Sequence, residues 1–376
     1  MRLDTLETPC LVLDRGRLDR NIAAMAQRVA GRGVTLRPHG KTAKSIDVVR
    51  RALATGGGLT VSTLKEADYF LSHGIRDLLY AVGIAPVKLD HAVDLVRRGA
   101  RLTLVLDSLE QARAVAAKGQ AQGIAFPVLI EIDSDGERAG LYPGDPRLTA
   151  IVRALTELDG AALTGVLTHA GGAYACRSLE AIRAMARRER DAAVAAAAAL
   201  RDAGLPCPVV SIGSTPTARF GGDLNDVTEV RAGVYMFQDL VMAGLGVCGE
   251  EEIALSVLAS VIGHQPSKGW AITDAGWMAL SRDRGLNDPL RDEGYGRVCR
   301  VDGSPVAGLR VASVTQEHGI LAYPQGRSLR PEDWPVGRLV RILPHHACAT
   351  AAMHDRYVVV DGGLEVLEVW PRINGW

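Results

Sequence analysis

Hydrophobic positions along the first two thirds of the chain come in short continuous runs, each followed by a segment with helical spacing. The runs are 34–37, 59–62, 78–82, 102–106, 128–132, 164–168, 209–212 and 229–235. Between them lie amphipathic or alanine-rich segments at 42–54, 64–72, 87–97, 109–122, 146–157 and 179–203, and a shorter, partly polar one at 215–227. Apolar runs that do not alternate are strands buried on both faces, and helices between them make the sheet parallel. Eight such units predict a (β/α)8 barrel, an α/β fold; a doubly wound open sheet is the alternative.

Beyond about residue 246 the pattern changes. Apolar runs at 254–262, 269–274, 308–314, 338–342, 357–361 and 366–370 are joined by Gly, Pro and charged loops without helices between them. This predicts a smaller, mostly antiparallel β domain. One further strand, 8–14, precedes the barrel and is a candidate to pair with that domain. The expected organisation is a barrel over 10–245, with 1–9 and 246–376 forming the β domain.

With 376 residues the chain is long enough for two cores. Its 43 basic and 43 acidic side chains cancel, which gives no sign of a nucleic-acid or membrane-surface partner. The opening residues carry acids and lack the apolar core of a secretion signal. No apolar run is long enough to span a bilayer. Six cysteines are scattered without a CxxC pair, which suits free thiols and a cytoplasmic location.

Barrels of this type place their chemistry at the C-terminal ends of the strands. The first strand ends Arg37-Pro38-His39-Gly40-Lys41, in a chain with only six lysines. An amine in a dry pocket can act as nucleophile or base. Taken alone, Lys41 reads first as a surface lysine on a loop, with Lys44 as its competitor three residues on. The seventh strand ends Gly213-Ser214-Thr215 and the eighth carries Gly233, a pattern of glycines and hydroxyls that can cradle a phosphate. A strand-end lysine beside such a cradle suggests pyridoxal 5'-phosphate held as a Schiff base. In the β domain, His346 and Cys348 stand two apart, so on an extended segment both side chains point the same way. Imidazole and thiolate suit zinc at an open site, but on the sequence alone a core cysteine beside a loop histidine is the favoured reading of the pair. Gln316-Glu317-His318-Gly319 is a third polar cluster in a β context, and a turn explains it equally well unless it faces the same pocket.

These residues, with Val61-Ser62-Thr63-Leu64-Lys65, Thr168-His169-Ala170-Gly171, Gly213-Ser214-Thr215-Pro216-Thr217 and His346-Ala347-Cys348, resemble the D-serine dehydratase and D-threonine aldolase family. That family comprises alanine-racemase-like pyridoxal-phosphate enzymes of fold-type III, and the likeness covers nearly the whole chain. By this resemblance Lys41 carries the cofactor. Gly213, Ser214, Thr215, Gly233 and Tyr235 surround its phosphate, and Arg138 and His169 lie near the ring or the substrate carboxylate. His346 and Cys348 bind Zn2+, or another divalent cation such as Mn2+. Aldolases of the family tend to have aspartate where Cys348 stands, so the resemblance implies a metal-assisted dehydratase of a D-β-hydroxy amino acid. Its substrate is then 3-hydroxyaspartate, with D-serine dehydration or aldol cleavage of D-threonine as alternatives. A homodimer is implied. A pyridoxal-phosphate carrier and a racemase are the rivals; neither needs the His346/Cys348 pair.

Overall fold

The computed structural model of the chain describes residues 1–54, 56–157, 159–284, 294–324 and 327–376. The chain divides into two compact units, Met25–Gly233 with Gly375–Trp376, and Met1–Ala24 with Val234–Asn374.

Strand β1 (Cys10–Asp14) and helix α1 (Arg15–Val29) come first. Then the strands of the larger unit alternate with helices: β2 (Thr35–Pro38), α2 (Ile46–Leu53), β3 (Leu59–Val61), α3 (Leu64–Ser72), β4 (Asp77–Gly83), α4 (Leu89–Arg97), β5 (Arg101–Leu106) and α5 (Leu109–Gln122). The series continues with β6 (Phe126–Ile132), α6 (Arg147–Thr156), β7 (Ala161–Thr168), α7 (Leu179–Asp202), β8 (Val209–Ile212), α8 (Thr215–Phe220) and β9 (Glu229–Ala232). All pairings within this eight-stranded sheet are parallel, in the order β2-β9-β8-β7-β6-β5-β4-β3. A bridge between His39 and Thr60, with the Gly40 N–H donating to the Thr60 carbonyl at 2.8 Å, joins the two ends into a barrel. The predicted barrel is therefore the observed one, and the open sheet is excluded. Leu79, Val105, Leu129 and Leu167 from four successive strands form one of its buried layers.

Three local readings are corrected. Lys41 does not stand where a helix begins: it lies in a turn, and α2 starts only at Ile46. Lys44 has a φ of 45°, which no right-handed helix accommodates, so the helix cannot start before it. The last strand stops at Ala232 rather than Tyr235. Its final carbonyl receives the His39 N–H at 2.8 Å, and the chain then turns through a 3-10 segment, Val234–Met236. Helix α8 ends at Phe220, ahead of Gly221 and Gly222.

The smaller unit continues with α9 (Leu240–Gly244), β10 (Leu255–Gln265), β11 (Trp270–Thr273), α10 (Trp277–Leu280), β12 (Gly296–Arg300), β13 (Pro305–Val314), β14 (Gly319–Ala322) and β15 (Leu339–Pro344). After α11 (Ala347–Ala351) come β16 (Arg356–Val360) and β17 (Glu368–Pro371). The order β11-β14-β13-β12-β15-β10, with β10 also paired to β11, closes an antiparallel six-stranded barrel. Strands β1, β16 and β17 extend from β10. Strand β1 pairs antiparallel with β10 and parallel with β16, and it buries Val12 against Leu3, Leu258, Val358 and Val360. Those bonds put 10–14 with the β unit and not with the barrel expected over 10–245. Strands β12 and β14 lacked a sequence signal because both are short and bounded by glycine. Gln316, Glu317 and His318 lie in the connection between β13 and β14, and Gly319 opens β14.

Candidate active site

The C-terminal ends of the eight parallel strands share one rim, and the predicted barrel residues follow those ends. His39-Gly40-Lys41 comes after β2, Arg138 on the loop after β6, His169 after β7, Gly213-Ser214-Thr215 after β8 and Gly233 after β9. Asp133 shapes the β6 loop by accepting the N–H groups of Asp135 (3.1 Å) and Gly136 (2.7 Å). Asp135 then accepts the Gly172 N–H at 2.8 Å and so ties this loop to the one after β7.

Lys41 is exposed at this rim, and its amine makes no ion pair or hydrogen bond among the described residues. Lys44 is engaged instead: its amine lies 3.4 Å from the buried carboxylate of Glu66, which also accepts the Ser62 N–H at 2.9 Å. Of the two lysines, Lys44 is therefore the one paired with an acid. Thr63, expected to cap α3, does so by accepting the Glu66 N–H at 3.0 Å.

Three positive charges converge here. Lys41, Arg138 and Arg231 all act on His169, whose pKa is pushed down to about 3 by burial first and then by those cations. His39 is held well below the usual histidine range by burial, then by Lys41, Arg231 and His169. Both rings are therefore neutral near pH 7, and their tautomers follow from their partners. His169 Nδ1 must donate to the Gly213 carbonyl, 2.8 Å away, so its Nε2 keeps the lone pair. His39 Nδ1 accepts the Lys41 backbone N–H at 3.4 Å, so its Nε2–H faces the Ser62 hydroxyl at 3.4 Å.

Arg231 is buried on β9, where its guanidinium donates to the Ser211 hydroxyl and the Thr168 carbonyl, each at 2.5 Å. Ser211 donates to Glu229 at 2.5 Å, and Glu229 accepts from Arg37 at 2.5 Å, which pairs onward with Asp77 at 2.8 Å. This chain of charges crosses β4, β2, β9, β8 and β7 and fixes their relative positions. Glu131 is pushed up by burial, with Arg138 and Arg231 opposing.

The Gly213 turn has the form of an anion cradle. Gly213 sits at φ 131°, and a Cβ there would come 2.2 Å from the Arg231 carbonyl, so no side chain can intrude. Ser214 caps α8: its hydroxyl accepts the Thr217 N–H at 3.3 Å and meets the Thr217 hydroxyl at 3.0 Å. Thr215, the first helical residue, is buried. Gly233 lets β9 approach β2, since a Cβ there would stand 3.1 Å from that of His39. An available amine, clustered cations, neutral imidazoles and a cradle without side chains fit a phosphorylated aldehyde.

Tyr235, His346 and Cys348 belong to the other unit. Tyr235 is fully buried and burial pushes its phenol up. The His346–Cys348 segment is not extended as expected. His346 is the last extended residue (φ −128°, ψ 109°), and Cys348 lies in the first turn of α11. Asp239 causes this by accepting the Ala347 N–H at 2.9 Å, which starts the helix between them. The two side chains meet all the same: the His346 ring hydrogen-bonds Cys348, while its Nδ1 lies 2.5 Å from Asp283. An imidazole and a thiol brought together are ligand types that suit zinc. A carboxylate on the other ring nitrogen is the usual orienting partner of a metal-bound histidine. Among the described residues no three His, Cys, Asp or Glu side chains come together that could hold a metal ion.

Sequence reasoning missed His39, Arg231, Asp239 and Asp283. Arg231 carried a signal, a charged residue within a short buried strand. Asp239 and Asp283 carried none, because their roles depend on partners 108 and 63 residues away.

Comparison with known proteins agrees with this geometry. Residues 13–240 match the model of the alanine racemase N-terminal domain, and residues 254–360 match that of the serine dehydratase domain. D-threo-3-hydroxyaspartate dehydratase of Delftia sp. (strain HT23) is 53% identical over 378 residues, covering 99% of this chain and 98% of that protein. A solved structure of D-threo-3-hydroxyaspartate dehydratase, a cysteine-to-alanine mutant in the metal-free form, superposes with a TM-score of 0.97 at 52% identity, covering 100% of both chains. D-threonine aldolase from Filomicrobium marinum gives a TM-score of 0.83 at 30% identity, covering 99% of this chain and 96% of that one.

Proposed function

The chain belongs to the family that joins an alanine racemase N-terminal domain to a serine dehydratase domain, and from that premise we propose a dehydratase of D-threo-3-hydroxyaspartate. The products are oxaloacetate and ammonia. The observation that carries this reading is the available Lys41 amine, set among Arg138, Arg231 and two neutral histidines beside the Gly213 cradle.

In this proposal pyridoxal phosphate is held by Lys41, with its phosphate at Gly213, Ser214, Thr215 and Gly233. His346 and Cys348 hold a divalent metal; that a D-threo-3-hydroxyaspartate dehydratase mutant of this fold is described as a metal-free form supports a metal in the family. Bound, the cofactor supplies an electron sink that acidifies the substrate Cα–H, and the metal supplies a Lewis acid for an oxygen leaving group.

The chain's own residues do the rest. Lys41 would move the Cα proton as a general base. Arg138 and Arg231 give the rim a positive field that favours a phosphate and a substrate with two carboxylates. Neutral His169 offers an uncharged ring, and its Nδ1–H is spent on Gly213, so it does not compete for the phosphate. That the six cysteines form no disulfide bond supports a reducing, cytoplasmic setting, and the enzyme acts as a homodimer in this reading.

The test is one incubation series with both D-3-hydroxyaspartates, D-serine and D-threonine, scored for keto acid, ammonia, aldehyde and glycine, with and without EDTA. Oxaloacetate and ammonia from the D-threo isomer, lost on chelation, is the expected outcome. Glycine plus an aldehyde would make the protein an aldolase. Turnover insensitive to chelation would remove the metal from the reaction.

A further inference from the structure

Helix α7 buries one stripe, Ile182, Ala186, Ala193, Ala196 and Leu200, against the barrel, while Arg183, Arg187 and Arg188 lie on the exposed side. Glu189 lies on the buried stripe with no exposed surface. A carboxylate at a core position is costly unless hydrogen bonds and charges compensate it. Here they do. One oxygen, Oε1, accepts the Ala170 N–H at 2.8 Å and the Gly213 N–H at 3.2 Å. The Thr217 hydroxyl and the buried Arg231 guanidinium stabilise the same carboxylate.

Ala170 and Gly213 belong to different loops, those after β7 and β8. The Gly213 carbonyl is in turn held by His169 Nδ1 at 2.8 Å. Both backbone polar groups of Gly213 are thus fixed, the N–H by Glu189 and the C=O by His169. Ala170, the residue next to His169, is fixed by the same carboxylate oxygen. The loops that carry the proposed phosphate cradle and the imidazole are therefore braced against each other at a single atom.

We propose that Glu189 is a positioning residue of the cofactor site: its carboxylate fixes the turn at Gly213 from which Ser214 and Thr215 emerge and, through Ala170 and Gly213, sets the His169 ring. The proposal rests on the reading of this rim as a pyridoxal-phosphate site.

Three variants test it. In Glu189→Gln the amide oxygen can still accept both N–H groups. In Glu189→Asp the charge remains but the side chain falls short of them. In Glu189→Ala the brace is gone. Each holoenzyme is dialysed, and loss of bound pyridoxal phosphate is followed by its absorbance. The thermal midpoint is measured with and without added cofactor. Glu189→Gln should keep its cofactor within about threefold of the natural protein, whereas Glu189→Asp and Glu189→Ala should lose it at least about tenfold faster. The rise in midpoint on adding cofactor should shrink in the same two variants. A purely structural glutamate would lower the midpoint with and without cofactor alike and leave that rise unchanged. Should Glu189→Ala not fold, Glu189→Asp decides. Cofactor retention and an undiminished midpoint rise in Glu189→Asp would overturn the proposal. If the natural protein took up no pyridoxal phosphate at all, the reading of the site would fail and the proposal with it.

Discussion

Acidification acts on this fold through His169. Burial, then the charges of Arg138, Lys41 and Arg231, hold its pKa at about 3. In an unfolded chain the same imidazole titrates near about 6.5. The folded value lies below the unfolded one, so the stability at stake is fully present above pH ~6.5 and is lost as the pH falls from there toward ~3. Between pH ~7.5 and ~5, linkage gives a loss of about 2 kcal/mol, which water at the part-exposed ring reduces toward about 1 kcal/mol. The same argument says that unfolding at pH ~5 takes up about one proton at this site.

His169→Asn isolates the effect. Its amide nitrogen takes the place of Nδ1 and can donate to the Gly213 carbonyl, but it does not titrate. Ligand-free protein and variant are unfolded in urea in a pH-stat. At pH ~5 the natural protein should take up about one proton more than the variant, and at pH ~8 the two should agree. Equal uptake at the lower pH would refute the neutral, buried imidazole and with it the convergence of cations around it.

Three further outcomes are expected. Lys41→Ala should lose the near-visible absorbance of bound cofactor while its far-ultraviolet circular dichroism stays unchanged, because the amine has no bonding partner among the described residues. Asp283→Asn should weaken metal binding about 10- to 100-fold in competition with a chromogenic chelator, since it removes the carboxylate that orients His346. An unchanged affinity would detach Asp283 from the metal site. Arg37→Met should destabilise the barrel by about 3–5 kcal/mol, read from urea unfolding, because it strands Glu229 inside the strand network.

Much of the fold was legible along the chain. Eight apolar runs of strand length with helical segments between them gave the barrel, and the loss of helices near residue 246 gave the β domain. The barrel's strand order then follows from short right-handed crossovers. Lys41 could be singled out because barrel chemistry sits at strand ends, and Gly213 because a glycine followed by two hydroxyls opens a helix there. His346 and Cys348 could be named as a pair, but their geometry was misread as extended. What turns that segment into a helix is Asp239, which lies elsewhere in the chain.

What the sequence by itself determined is what repeats locally: the period of each element, the place where each strand stops and the type of residue left at that end. Periodicity reports which face of an element is buried, but not what it is buried against. The tertiary structure alone decided that β1 pairs with β10 and β16, that Glu229 joins Arg37 to Ser211, and that the acid among the arginines of α7 turns inward beneath two loops. It also separated Lys41 from Lys44, since only the position of Glu66 shows which amine is already paired. Each of these is a contact between residues far apart in the chain. Its energy arises from removing charges and backbone donors from water together, which happens only once the strands have closed around them.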